Sequence, residues 1–95
     1  MARIMIIDDE INIIKILSSI LEDESHTVFS SRAGEEGLEF LEENEVDLVV
    51  LDVWLPDIDG IDILERIKTR HPGTGVIMIS GHGSIDIAVK STKLG

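Results

Sequence analysis

The fold follows from one stretch, Asp47-Leu48-Val49-Val50-Leu51-Asp52-Val53-Trp54-Leu55-Pro56. The apolar run Leu48 to Leu51 indicates a strand buried on both faces, which is typical of a parallel sheet covered by helices. Pro56 excludes a continuing strand, and Asp57-Ile58-Asp59-Gly60 predicts a turn. We therefore expect Asp52 at the carboxyl end of a central strand, the edge of an open α/β sheet where ligands bind.

A second acidic group supports this interpretation. The short apolar run Arg3-Ile4-Met5-Ile6-Ile7 ends on Asp8-Asp9-Glu10. If the two strands are parallel neighbours, Asp8, Asp9 and Asp52 converge at one edge of the sheet, where two carboxylates about 5 Å apart repel by roughly 3 kcal/mol. Such a cluster calls for a cation, and oxygen ligands without Cys or paired His favour Mg²⁺ over zinc or copper. The alternative is that the acids only solvate the sheet edge.

Composition limits the class of protein. A chain of 95 residues with 43% hydrophobic residues makes one small globular domain. The chain has no cysteine, so it has neither a disulfide framework nor thiol chemistry. Its apolar runs are too short to span a membrane, and no signal peptide precedes Asp8. We therefore predict a cytoplasmic protein that does not bind membranes.

The charge distribution excludes one class of partner. The formal net charge is −11, and residues 1–59 contain 16 of the 19 acidic residues but only 3 of the 8 basic ones. Nucleic-acid binding requires basic contacts to phosphate, which this acidic surface lacks. The charge suits a divalent cation better, and we expect no direct binding of nucleic acid by this domain.

Hydrophobic periodicity predicts alternating strands and helices. The predicted strands are 3–7, 26–30, 47–52 and 76–79. The predicted helices run from 10 to 22, from Ser31 or Arg32 to about 44, from 60 to 70 with Asp59 as N-cap, and from Ser84 onward. With short loops and right-handed crossovers, this βαβαβαβα pattern predicts a doubly wound parallel sheet.

The same periodicity predicts which helix faces are buried. In the first helix the inward residues are expected to be Ile13, Ile16, Leu17, Ile20 and Leu21. Ile11 and Ile14 lie partly off this stripe, and they are expected to widen the buried face rather than to contact a partner. In the third, the inward residues are expected to be Ile61, Leu64 and Ile67, with Ile63 beside them. The last helix is expected to carry Ile85, Ile87, Ala88, Val89 and Leu94.

Three segments together resemble the receiver domain of bacterial two-component response regulators. They are Ile6-Ile7-Asp8-Asp9-Glu10, the stretch from Leu51 to Gly60, and Val76-Ile77-Met78-Ile79-Ser80-Gly81-His82-Gly83. An acidic pair, an acceptor Asp, a Pro four residues later and a Gly eight residues later form a specific combination. The Ser-Gly-His-Gly turn is similar to that of receivers in NtrC-like transcriptional activators.

The resemblance implies roles for particular residues. Asp52 would accept a phosphoryl group from a histidine kinase. Asp9, Asp52 and the backbone carbonyl of Trp54 would ligate Mg²⁺, and Asp8 would ligate it directly or through water. Ser80 would contact the phosphoryl group and act as the switch residue. The domain would be a regulatory phosphoacceptor rather than an enzyme, and its conformational change would control an output domain, expected to be transcriptional, that is absent from this chain.

The chain also departs from the family pattern. Receivers have a fifth strand ending in a Lys-Pro pair and a fifth helix, whereas Lys90 and Lys93 lie on the predicted fourth helix and do not match that lysine. We therefore expect residues 1–95 to be a truncated receiver with a flavodoxin-like sheet of strand order 2-1-3-4. The strand Val76–Ile79 would then be an exposed edge, which predicts self-association through that strand.

Other functions remain open at this stage. A phosphoaspartyl hydrolase of the haloacid dehalogenase type needs a second Asp two residues after the first, where this chain has Trp54. A nucleotide-binding half-domain needs a glycine-rich loop where this chain has Asp8-Asp9-Glu10. A third alternative is a receiver-like module that folds or associates without transferring phosphate.

Overall fold

The computed structural model describes residues 1–80 and the backbone of residues 88–92. Three helices and five strands lie in this part of the chain. In order they are β1 (Arg3–Ile7), α1 (Ile11–Asp23), β2 (Thr27–Ser31), α2 (Gly34–Glu43), β3 (Leu48–Asp52), α3 (Gly60–Arg70), β4 (Gly75–Ser80) and β5 (Ala88–Thr92). The predicted elements up to residue 80 are confirmed, β1 and α3 with the predicted boundaries and the others with boundaries shifted by at most three residues. None of the described helices is long and apolar enough to cross a membrane.

The strands form one sheet of order β2-β1-β3-β4-β5. The first four strands are parallel, so the predicted flavodoxin-like order 2-1-3-4 is confirmed. β1 and β3 are direct neighbours, with Ile7 paired to Leu51. The two acidic segments that follow these residues therefore leave the sheet side by side at its carboxyl edge.

Alternate residues of the central strands point to opposite faces of the sheet, and each face is covered by helix. Met5, Ile7, Val49 and Leu51 belong to the core cluster that includes residues of α2 and α3. Ile4, Ile6 and Val50 belong to a second cluster on the side of α1. Burial on both faces explains why the central strands are continuous apolar runs rather than alternating ones.

The predicted inward faces of two helices are partly wrong. In α1 the buried residue is Ile14, while Ile16 and Ile20 are 57% and 55% exposed. In α3, Ile63 is fully buried and Ile61 is 48% exposed. In both helices isoleucine residues occur on more than one face, so helical spacing defines two overlapping apolar stripes. Contact with the sheet selects between them.

The predicted last helix is wrong where the structure describes it. Residues Ala88–Thr92 form β5, which runs antiparallel to β4 with Ser80 paired to Ala88. β4 is therefore hydrogen-bonded on both sides, by β3 and by β5, and the predicted exposed edge at Val76–Ile79 is also wrong. The gain from pairing the free backbone groups of β4 outweighs the weak helical pattern of this segment. Ser84, Ile85, Ile87 and Leu94 lie outside the described residues.

The loop between β3 and α3 folds back on its own start. Gly60 N–H donates to the carbonyl of Val53 at 3.3 Å. A Cβ at Gly60 would lie 2.7 Å from Val53 Cα and 2.9 Å from Val53 O, a clash with backbone that cannot be relieved by moving a side chain. Asp59 caps α3, as predicted, by accepting the Ile61 N–H at 2.8 Å. Glycine at position 60 thus lets α3 begin directly beside Asp52.

Candidate functional site

Three carboxylates meet at the carboxyl edge of the sheet. Asp8 and Asp9 follow β1, and Asp52 ends β3. One oxygen from each of these side chains lies within 4.8 Å of the others. Asp8 and Asp52 are each only 3% exposed, so the cluster is not a solvated surface group. Adjacent parallel strands that both end in Asp produce this juxtaposition directly.

The hydrogen bonds within the cluster leave one acceptor without a donor. Asp8 Oδ1 accepts the Glu10 N–H at 2.8 Å, and Asp52 Oδ1 accepts the Trp54 N–H at 3.0 Å. Among the described residues, Asp9 Oδ1 is buried and has no hydrogen-bond partner. A buried carboxylate oxygen without a donor is costly, so this atom marks a place where a cation would stabilise the structure.

Burial also shifts the ionisation of the cluster. Loss of hydration raises the pKa of Asp8 from 3.8 to about 6, against the opposing effect of the hydrogen bond from Glu10 N–H. The negative charges of Asp52, Asp9 and Glu10 also contribute to this increase. The protein therefore holds Asp8 in a position where its charged form is destabilised near neutral pH.

These observations fit a hard divalent cation. All three side chains offer carboxylate oxygen, which is the ligand type that Mg²⁺ and Ca²⁺ prefer. Oxygens within 4.8 Å of one another can face a common ion, and the unpartnered Asp9 Oδ1 provides an acceptor for it. The donor set has no nitrogen or sulfur ligand, so it does not favour zinc or copper.

The structure places the other predicted site residues as follows. Trp54 lies in the loop after Asp52 and is 61% exposed, with its N–H directed to Asp52. Ser80 ends β4, the strand next to β3, and its side chain lies outside the described structure. The convergence of Asp8, Asp9 and Asp52 agrees with the expectation from sequence, while their roles stay predictions.

Two residues that hold the loops around the cluster were missed by sequence reasoning. Arg32, after β2, donates from Nε and Nη2 to the Asp9 carbonyl at 3.2 and 3.1 Å. Asp57, which sequence reasoning assigned only to a turn, accepts the N–H groups of Gly34 and Glu35 in α2. Both contacts join segments more than twenty residues apart, so no local pattern could have predicted them. The available sequence signal was that Ala33 is a poor N-cap for α2.

A parallel sheet of order 2-1-3-4, with a buried acidic cluster after its first and third strands, defines a flavodoxin-like α/β domain with a candidate cation site. Residues 4–95 match the family model of the response regulator receiver domain. The chain belongs to this family.

Relatives and solved structures agree with that assignment. A putative NtrX-like response regulator of Rickettsia bellii (strain RML369-C) is 43% identical over 94 residues, covering 97% of this chain and 20% of the relative. The transcriptional regulatory protein GlrR of Escherichia coli (strain K12) is 35% identical, covering 99% of this chain and 21% of the relative. The chain thus spans about a fifth of the length of these curated relatives.

One solved structure bears on partners. It is the crystal structure of the histidine kinase ThkA in complex with the response regulator protein TrrA, which matches with a TM-score of 0.77 and 32% identity. The match covers 82% of this chain and 67% of that one. Similarity to NtrX-like and transcriptional regulators is consistent with the NtrC-like class that the Ser-Gly-His-Gly turn predicts.

Proposed function

We propose that residues 1–95 form a phosphoacceptor receiver domain in which Asp52 takes a phosphoryl group from a histidine kinase. The ligands proposed for Mg²⁺ are Asp8, Asp9, Asp52 and the Trp54 carbonyl. The observation that carries this proposal is the buried cluster of three carboxylates, with its unpartnered Asp9 Oδ1, at the carboxyl edge of a receiver-family sheet.

The proposed transfer requires little covalent chemistry from the protein. An oxygen of Asp52 forms a bond to phosphorus while the bond between phosphorus and the donor's imidazole nitrogen breaks, and the imidazole then takes up a proton from water. Phosphoryl transfer depends on positioning and on neutralising charge rather than on acid–base groups. Mg²⁺, when bound, would neutralise charge on the phosphoryl oxygens. The position of Asp52 is fixed by the hydrogen bond that its Oδ1 accepts from the Trp54 N–H and by the pairing of β3 with β4.

The proposal also covers the partner and the response. A kinase partner is supported by the kinase complex of the related structure. Ser80, at the end of the neighbouring strand β4, is proposed to contact the transferred phosphoryl group and to couple it to a change in conformation. Control of an output domain, expected to be transcriptional, belongs to the proposal because the matched relatives are about five times longer than this chain.

A small phosphodonor tests the proposed function without the kinase. Incubation with acetyl phosphate and Mg²⁺, followed by intact mass measurement, is expected to add one phosphoryl group per chain. Omitting Mg²⁺ should reduce the modified fraction strongly, because the donor and the carboxylates then repel one another. A chain that binds Mg²⁺ but is never modified would support the alternative of a folding or association module.

The raised pKa of Asp8 predicts how Mg²⁺ binding depends on pH. Protons and Mg²⁺ compete for this carboxylate, whose pKa lies at about 6. Affinity should be nearly constant above pH 7 and fall toward about tenfold for each pH unit well below 6, as competition with one proton requires. Titrations at pH 5 and pH 7.5 measure this difference. An affinity that is the same at both values would contradict a role for Asp8 as a ligand.

A further inference from the structure

The N-terminus of α2 is capped by a side chain from a different loop. Ala33, at the N-cap position, provides no side-chain hydrogen bond. Instead, Asp57 accepts the N–H of Gly34 at Oδ1, at 2.9 Å, and the N–H of Glu35 at Oδ2, at 3.0 Å. A carboxylate there satisfies two free donors and complements the helix dipole. The hydrogen bonds from Glu35 N–H and from Gly34 N–H lower the pKa of Asp57, so the cap is ionised at neutral pH.

The loop that contains Asp57 lies directly against the first turn of α2. A Cβ at Gly34 would lie 2.6 Å from Ile63 Cδ1 and closer still to Ile58 Cγ2. Only glycine allows this approach without displacing those side chains. The contact therefore has a polar part at Asp57 and an apolar part at Ile58, and together they fix the position of the loop relative to α2.

The same loop also contains the backbone of the candidate cation site. Its first residue, Val53, donates its N–H to the Ile79 carbonyl at 3.1 Å and accepts the Gly60 N–H. Trp54 follows, and Asp57 lies three residues further along. The loop is thus fixed near β4 at one end and against α2 through Asp57.

The segment before α2 contacts the other acidic loop as well. Arg32 donates two N–H groups to the carbonyl of Asp9. Residues 32–35 therefore contact both loops that carry candidate ligands, through Arg32 on one side and through Gly34 and Glu35 on the other. Both loops are therefore held in place by contacts with the first residues of α2 and with the residue Arg32 just before them.

Resting on the function proposed above, we propose that Asp57 is a positioning residue for the cation site. By holding the β3–α3 loop against α2, it sets the position of the Trp54 carbonyl relative to Asp52 and so the affinity for Mg²⁺. Partners that orient metal ligands from outside the ligand shell typically contribute about 10–100-fold to affinity. Asp57 acts through a loop, so an effect at the lower end, about tenfold, is expected.

The test compares Mg²⁺ titrations of the full chain, followed by Trp54 fluorescence, at a temperature where each variant is folded. Asp57→Ala should raise the Kd for Mg²⁺ about tenfold, and Asp57→Asn, which keeps one acceptor oxygen, should have a smaller effect. If Asp57→Ala does not fold, the Asn variant provides the measurement.

Two control variants separate positioning from general loss of stability or charge. Thr74→Val removes the hydrogen bond from Thr74 Oγ1 to the Val46 carbonyl at the opposite edge of the sheet. It should lower the melting temperature but leave the Kd unchanged. Glu36→Gln removes an exposed charge from the first turn of α2, and it should change the Kd less than twofold.

The outcomes distinguish this inference from the proposed function. Wild-type chain that binds Mg²⁺ with the same Kd as Asp57→Ala overturns the positioning role and leaves the cation site intact. An increase in Kd as large in Thr74→Val as in Asp57→Ala overturns it too, since stability would then explain the effect. Wild-type chain that does not bind Mg²⁺ overturns the proposed function and this inference with it.

Discussion

Replacing Asp8 by Asn is expected to stabilise the protein in the absence of Mg²⁺ by about 1–3 kcal/mol at pH 7.5. Asp8 is 3% exposed, and its pKa is raised to about 6, so burying its charged form opposes folding. The Asn side chain keeps an oxygen that can accept the Glu10 N–H and removes the repulsion from Asp9 and Asp52. Urea unfolding followed by circular dichroism measures the change.

The pH dependence gives this prediction a second readout. A carboxyl whose folded pKa lies above its unfolded value destabilises the fold once both states are ionised, and this cost disappears as pH falls through the window from about 6 to about 4. As pH falls through this window, protonation of Asp8 should therefore increase the stability of the wild type. Asp8→Asn should not show this increase. Asp57 and Glu42 have lowered pKa values, so their charged forms stabilise the folded state. That stabilisation is lost only as pH falls below the ordinary pKa values of these groups.

A charge-matched control and added Mg²⁺ complete the test. Asp62→Asn removes one exposed acid from the first turn of α3 and should change stability by no more than about 0.5 kcal/mol. Saturating Mg²⁺ should stabilise the wild type more than Asp8→Asn, because the variant has lost one carboxylate ligand. Equal stability of wild type and Asp8→Asn at pH 7.5 without Mg²⁺ would contradict this prediction, because burying the charged form of Asp8 would then have no measurable cost.

Replacing Asp9 by Asn is expected to weaken Mg²⁺ binding at least tenfold. Asp9 Oδ1 is the buried acceptor without a partner among the described residues, and the substitution removes its charge. Loss of one charge about 4 Å from a cation costs several kcal/mol at an effective dielectric near 20, so tenfold is a lower limit. Mg²⁺ at about 100 times its Kd should stabilise the wild type by about 2.7 kcal/mol.

Fluorescence makes the Asp9 prediction directly measurable. Trp54 is the only tryptophan in the sequence and lies two residues after Asp52, so its emission should change on titration with Mg²⁺. The thermal shift with Mg²⁺ provides an independent readout. Superimposable titrations of wild type and Asp9→Asn would count against the proposed site.

The sequence predicted those parts of the fold that depend on local pattern. Continuous apolar runs identified β1 and β3, and the Asp residues at their ends located the acidic cluster. The N-cap at Asp59 was equally predictable, because it acts on its own helix. Such features need only the neighbouring residues and the rule that parallel strands share a carboxyl edge.

The predictions that failed depend on tertiary contacts. Sheet contact selected Ile14 rather than Ile16 as the buried residue of α1, although both fit helical spacing. Pairing with β4 converted Ala88–Thr92 from a predicted helix into a strand. Glycine is unfavourable within a helix, yet a Cβ at Gly37 would lie 2.6 Å from Ile7 Cδ1, so its absence allows α2 to pack closely on β1.

The most direct test of the account is to locate the phosphoryl group after incubation with acetyl phosphate and Mg²⁺. Asp47 directly precedes β3, and Asp52 is the last residue of that strand. The variants Asp47→Asn and Asp52→Asn therefore form a matched pair, because each replaces one Asp at one end of the same strand. The account predicts one added phosphoryl group in wild type and in Asp47→Asn, and none in Asp52→Asn. Modification that persists in folded Asp52→Asn would contradict it, because the acceptor would then be a different residue.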